Sequence, residues 1–105
     1  MQIENQPWLR SWPPDVPKKL EYPRVPLQSF LEKAAKAYPQ KAAIAFAEGE
    51  ITYAELDALT DQFAAALAAL GVNKGDRVAV FLPNTTEFVI AYYGSLKIGA
   101  VLTAI

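Results

Sequence analysis

The chain contains no cysteine and no histidine. That double absence removes whole classes of chemistry. Zinc sites built on thiolate and imidazole are excluded, as are Ser-His and Cys-His nucleophilic pairs and every disulfide. A chain without disulfides fits a cytosolic setting, and a cytoplasmic protein is the expectation. Charge of one sign is also lacking. Ten Lys and Arg stand against eleven Asp and Glu, a net charge of −1. Nucleic-acid affinity rests on neutralising phosphates, so this balance gives no reason to expect a nucleic-acid partner. Long apolar runs are missing as well. Asp61 and the Lys74-Gly75-Asp76-Arg77 cluster break them before the roughly 18 residues of a membrane span. The opening Met1-Gln2-Ile3-Glu4-Asn5-Gln6 lacks the basic-then-apolar order of a secretory signal.

Proline is abundant, and it is concentrated. Pro7, Pro13, Pro14, Pro17 and Pro23 fall in residues 1–25, with Trp8, Trp12 and Tyr22 among them. Proline at this density cannot continue a helix and favours extended or polyproline II backbone. Residues 1–25 therefore read as an arm. Its aromatics predict that it is pinned to a surface, since a free linker is richer in Gly and Ser. Residues 26–105 read as folded domain. At 105 residues the whole chain is one small domain's worth.

The periodicity predicts an ordered series of elements. Pro26 opens a helix whose apolar positions are Leu27, Phe30, Leu31, Ala34 and Tyr38, and Pro39 ends it. Ala42–Phe46 and Glu50–Thr52, separated by Glu48-Gly49, read as a β-hairpin. Thr52-Tyr53-Ala54-Glu55 is a capping box that opens a second helix. Leu56, Leu59, Phe63, Leu67 and Leu70 form its stripe, and Gly71 is its left-handed C-terminal cap. Arg77–Leu82 is apolar enough for a strand buried on both faces. Pro83-Asn84 breaks it, and Asn84 with Glu87 repeats the cap signal for a third helix ending at Gly99. Ala100–Ile105 reads as another strand. The fold class is α/β: proline-rich arm, helix, β-hairpin, helix, then a parallel βαβ unit. The final strand is apolar and unprotected, so the expectation is an incomplete N-terminal part of a larger α/β domain, and a fragment that self-associates, most simply as a dimer.

Candidate chemistry competes with plainer readings at each place. Gly71–Asp76 lacks the P-loop spacing, and Asp76 would repel phosphate; a structural loop is the better reading. Asp57 and Asp61 could act as paired carboxylates, but periodicity puts them on a solvated face. Tyr92 and Tyr93 could line an apolar pocket or simply pack in the core. Pro83-Asn84-Thr85-Thr86 follows the carboxyl end of a strand, where open α/β sheets bind ligands, although a helix cap also accounts for it. In the arm, Pro14-Asp15-Val16-Pro17-Lys18-Lys19 has the spacing of an SH3 ligand. Trp8, Leu9, Trp12, Arg10, Lys18 and Lys19 could meet a membrane surface, or the arm could dock on its own domain.

Taken together, Ile51-Thr52-Tyr53-Ala54-Glu55-Leu56, Leu70-Gly71-Val72 with Lys74-Gly75-Asp76-Arg77-Val78, Leu82-Pro83-Asn84 and Ala91–Ala100 resemble the start of an adenylate-forming enzyme. That superfamily comprises acyl-CoA synthetases, peptide-synthetase adenylation domains and firefly luciferase. The arm adds Pro7-Trp8-Leu9, Pro17, Leu20-Glu21-Tyr22-Pro23 and Pro26-Leu27, which are similar to the opening of bacterial-type long-chain fatty-acid–CoA ligases. The resemblance implies a two-step reaction of the full-length enzyme. A fatty acid attacks MgATP to give acyl-adenylate and pyrophosphate, and coenzyme A then displaces AMP. ATP, Mg and coenzyme A are thus implied for the full-length enzyme and none for this fragment. The superfamily's phosphate loop, adenine motif and catalytic lysine have no counterpart in residues 1–105. No catalytic, cofactor-binding or metal residue is carried over, and the 105-residue piece is expected to be inactive alone. Two alternatives stand beside this reading: a binding module that uses the arm, with peripheral membrane contact among its options, or a fragment of a medium-chain or aryl-acid CoA ligase.

Overall fold

The computed structural model describes residues 6–105, so the first five residues of the arm lie outside the described residues. Local sequence signals set most of the element boundaries. Helix α1 spans Gln28–Ala37 and stops at Tyr38, just before Pro39. Strands β1 (Ala42–Phe46) and β2 (Gly49–Thr52) pair antiparallel, with Ile44 opposite Ile51 and Phe46 opposite Gly49. Helix α2 covers Tyr53–Ala69, strand β3 Arg77–Val80, helix α3 Thr86–Lys97 and strand β4 Val101–Ala104. Strands β3 and β4 run parallel in register, Arg77 beside Val101 and Val80 beside Ala104, with α3 as the crossover. The α/β class and the order of elements match the sequence reading.

The start of α2 shows how the cap works. The Glu55 N–H donates to Thr52 Oγ1 at 3.1 Å, and that hydroxyl donates to Glu55 Oε1 at 3.1 Å. Two further backbone donors of this first turn are satisfied from the preceding loop: Tyr53 N–H by the Lys41 carbonyl and Ala54 N–H by the Pro39 carbonyl. The other end closes as a Schellman motif. Gly71 takes φ +94°, its N–H donates to Ala68, and the Val72 N–H reaches back to Leu67.

The following loop is stitched to a distant turn. Asp76 Oδ2 accepts from the Asn73 N–H at 2.7 Å. The Gly75 N–H donates to the Gly99 carbonyl at 2.9 Å, and the Val101 N–H to the Asp76 carbonyl at 2.7 Å. Asp76 is therefore a turn-former that helps to lead β3 in beside β4.

The core is a seam of small residues between α2 and α3. Thr60 and Ser95 are wholly buried, with Ala64, Ala91 and Gly94 beside them. A Cβ added at Gly94 would stand 2.7 Å from Phe63 Cδ1 and 3.1 Å from the Thr60 carbonyl oxygen, so glycine is what allows this approach. Thr60 satisfies its hydroxyl on the Asp57 carbonyl at 2.8 Å. The seam is locked at one end by Lys97. Its ammonium donates to the Asp57 carbonyl at 3.2 Å, to Asp57 Oδ1 and to Asp61 Oδ1 at 2.7 Å, which uses all three of its protons. Burial of the ammonium, the largest single influence, pulls its pKa down. The hydrogen bonds to Asp57 and Asp61, with the two negative charges, together outweigh burial and hold Lys97 above the usual lysine value.

Several expectations are corrected here. Asp57 is partly buried and Asp61 stays exposed as periodicity expects, but neither carboxylate is free, because Lys97 crosses from α3 to engage both. Asn84 is not the cap of α3: Thr85 holds that position, with no side-chain cap bond, and its hydroxyl donates to the Pro83 carbonyl. Strand β3 is covered on one face only, since Val80 is buried while Phe81 just beyond it is 80% exposed. Of the α1 stripe only Leu31 is buried, and Leu70 at the end of α2 is exposed. The arm is not uniformly extended, because Pro7–Ser11 forms a 3-10 turn. Trp8 is 57% exposed, whereas Trp12 is half-buried and its indole N–H donates to Val16 within the arm at 2.9 Å. The radius of gyration is 17.7 Å, against about 13 Å for a rounded domain of this length.

Three substitutions test this account. Thr52→Ala removes the α2 cap and should destabilise the domain by about 1 kcal/mol in urea unfolding; an unchanged midpoint would mean the helix is held otherwise. Gly94→Val should cost about 2 kcal/mol or more by forcing α2 and α3 apart, and a stability equal to wild type would refute the tight seam. Lys97→Met should cost about 1–3 kcal/mol at neutral pH. The folded-state pKa of Lys97 is raised, so its contribution is complete below about pH 10.4 and is lost as pH climbs through the folded value. The stability gap between wild type and Lys97→Met should therefore hold level to about pH 10 and narrow above it. A gap that closed nearer neutrality would show that burial outweighs the two aspartates and lowers the folded-state pKa of Lys97.

Candidate functional site

The carboxyl end of β3 is the place where this topology offers ligand space, since loops between parallel strands and crossover helices open there. Residues 81–85 leave the strand and α3 begins at Thr86. The tip of the β1–β2 hairpin faces this loop. Phe46, Glu48 and Ile51 on one side and Asn84, Thr85 and Thr86 on the other bound a groove of about 470 Å³. It continues past Ile44, Phe88 and Val89 as a second hollow of about 380 Å³. The hairpin wall is largely apolar and the loop wall carries hydroxyls and an amide. Thr85 leaves the first N–H groups of α3 without a side-chain cap. Glu87 in the first turn, with Glu48 opposite, counters any pull on an anion there.

Another hollow, of about 330 Å³, lies at the exit of β3, between Val78, Val80 and Leu82 of the chain and Phe63, Ile90 and Ala91 of the helices. It is apolar except for Glu87. A further one, of about 450 Å³, lies between α1, the hairpin and the helices, with Leu31 and Leu56 among its lining residues and Phe30 and Tyr93 at its sides. Tyr93 thus borders a hollow, while Tyr92 packs between Phe88 (ring centroids 6.3 Å apart) and Tyr93 (5.3 Å).

The structure brings together few of the sequence candidates. Asn84, Thr85 and Thr86 share the strand-end groove. Asp57 and Asp61 lie elsewhere and are engaged by Lys97, so they are not poised as an acid–base pair. Gly71–Asp76 is occupied by its own turn bonds. Pro14, Asp15 and Val16 curl into a turn closed by Val16 N–H to Pro13 carbonyl at 3.2 Å, which spoils the polyproline II form an SH3-type groove requires. Lys97 was missed by sequence reasoning. The signal for it was an aspartate pair four apart on one helix and a lone lysine closing another.

Among the described residues, no three Asp, Glu, His or Cys side chains are placed to hold a metal ion. The described residues therefore offer no cluster that fits a bound magnesium. None of the described helices is long and apolar enough to cross a membrane.

Comparison with known proteins places this geometry. The model of the "AMP-binding enzyme" family matches residues 31–105. A long-chain-fatty-acid–CoA ligase of Bacillus subtilis is 44% identical over 100 residues, covering 93% of this chain and 18% of the relative. A 3-hydroxybenzoate–CoA/4-hydroxybenzoate–CoA ligase of Thauera aromatica is 46% identical over 71 residues, covering 68% of this chain and 14% of the relative. Among solved structures, apo MbtA of Mycobacterium smegmatis superposes with a TM-score of 0.74 at 45% identity, over 79% of this chain and 16% of that one. The chain spans less than a fifth of the length of these relatives. With the family match running from within α1 through β4, the chain belongs to the AMP-binding enzymes, the adenylate-forming ligases.

Proposed function

We propose that this chain is a scaffold segment of an ATP-dependent long-chain fatty-acid–CoA ligase working in the cytoplasm. The observation that carries the reading is the reach of the fatty-acid ligase match. At 93% of the chain it takes in most of the proline- and tryptophan-rich arm as well as the domain, whereas the hydroxybenzoate ligase match covers 68%. In this reading the whole enzyme joins a fatty acid to the α-phosphate of ATP, releasing pyrophosphate, and then transfers the acyl group to the thiol of coenzyme A. Magnesium would assist the first step from residues outside this chain.

The contribution of residues 6–105 is positional. The α2–α3 seam and the Lys97 clasp fix the crossover helix. The Gly75–Gly99 and Asp76–Val101 bonds fix the register of β3 and β4. The strand ends are thereby held where the groove opens between Asn84–Thr86 and the hairpin tip. Nothing among the described residues pairs a nucleophile with a base, so the chemistry is assigned to the remainder of the enzyme.

Pyrophosphate release tests both parts of this reading. The full-length enzyme should prefer palmitate over 3-hydroxybenzoate by at least about tenfold in kcat/KM, which corresponds to about 1.4 kcal/mol of transition-state discrimination. The opposite preference would replace the long-chain reading with an aryl-acid one. The 105-residue chain with palmitate, MgATP and coenzyme A should release no pyrophosphate above a blank, and turnover by that chain would overturn the scaffold assignment.

A further inference from the structure

We draw no further inference here: the strongest candidate, the exposed apolar patch of Phe81, Val101 and Ile105 at the β3–β4 pair, carries none, because nothing in the structure shows what covers it.

Discussion

The close approach of α2 and α3 is the constraint on which the rest of this structure depends. It is made from residues with little side chain: Thr60 and Ala64 on one helix, Ala91, Gly94 and Ser95 on the other. Small residues bury little apolar area each, so the contact gains its stability from proximity and dispersion along its length. That makes it sensitive to added volume, since a Cβ at Gly94 already meets Phe63 and the Thr60 carbonyl. The Lys97 clasp complements it. An ammonium that gives all its protons to one aspartate carbonyl and two carboxylates fixes how far α3 can slide or rotate along α2. Because α3 is the crossover between β3 and β4, its placement governs the parallel pair, and the Gly75–Gly99 and Asp76–Val101 bonds carry that order into the loops.

The same arrangement leaves a large apolar area open. The helices cover the face of the β3–β4 pair that holds Val80. Phe81, Val101 and Ile105 stay exposed. An uncovered two-stranded parallel sheet is unusual, because parallel strands occur with both faces packed. The relatives give this context: they are more than five times as long as the part this chain matches. A paired strand edge and a covered face are the two ways such a sheet is completed, and self-association of the 105-residue piece, which the apolar final strand led us to expect, would use either.

Sequence reasoning read local signals well and cross-chain contacts poorly. The Thr52/Glu55 box, the Gly71 cap and the Pro39 stop are each written within a few residues, and each is found. The order of elements followed, as did the parallel pairing implied by strand, helix and strand. The engagement of Asp57 and Asp61 was missed because periodicity assigns a helix face without knowing what the next helix brings to it. Lys97 is 36 residues from Asp61 and 40 from Asp57, and nothing local joins them. Asn84 was misread for a different reason. Asn and Thr both suit a cap; Thr85, with extended backbone, takes the position, and its hydroxyl goes to the Pro83 carbonyl instead of to the helix. The β3 face was judged buried on both sides because the apolar run records the whole domain's needs, while the structure shows only what residues 6–105 cover. The strand-end groove was legible as a location and not as a site, since its two walls come from segments about 40 residues apart.

The phrases that made the family recognisable are, on inspection, instructions for folding. Gly71 is needed for a positive φ, Asp76 for a turn bond, Gly99 for a second positive φ packed against Lys74, and Gly94 for a helix crossing. Each is costly to replace for a stated geometric reason. A chain can therefore announce an adenylate-forming ligase through backbone constraints alone. The arm is the exception. Its prolines and tryptophans serve neither the α2–α3 seam nor the strand register, and most of its side chains are exposed, Leu9 and Trp12 excepted. Its exposed apolar side chains, like Phe81 and Ile105, stand on a chain that spans less than a fifth of the length of the relatives it matches.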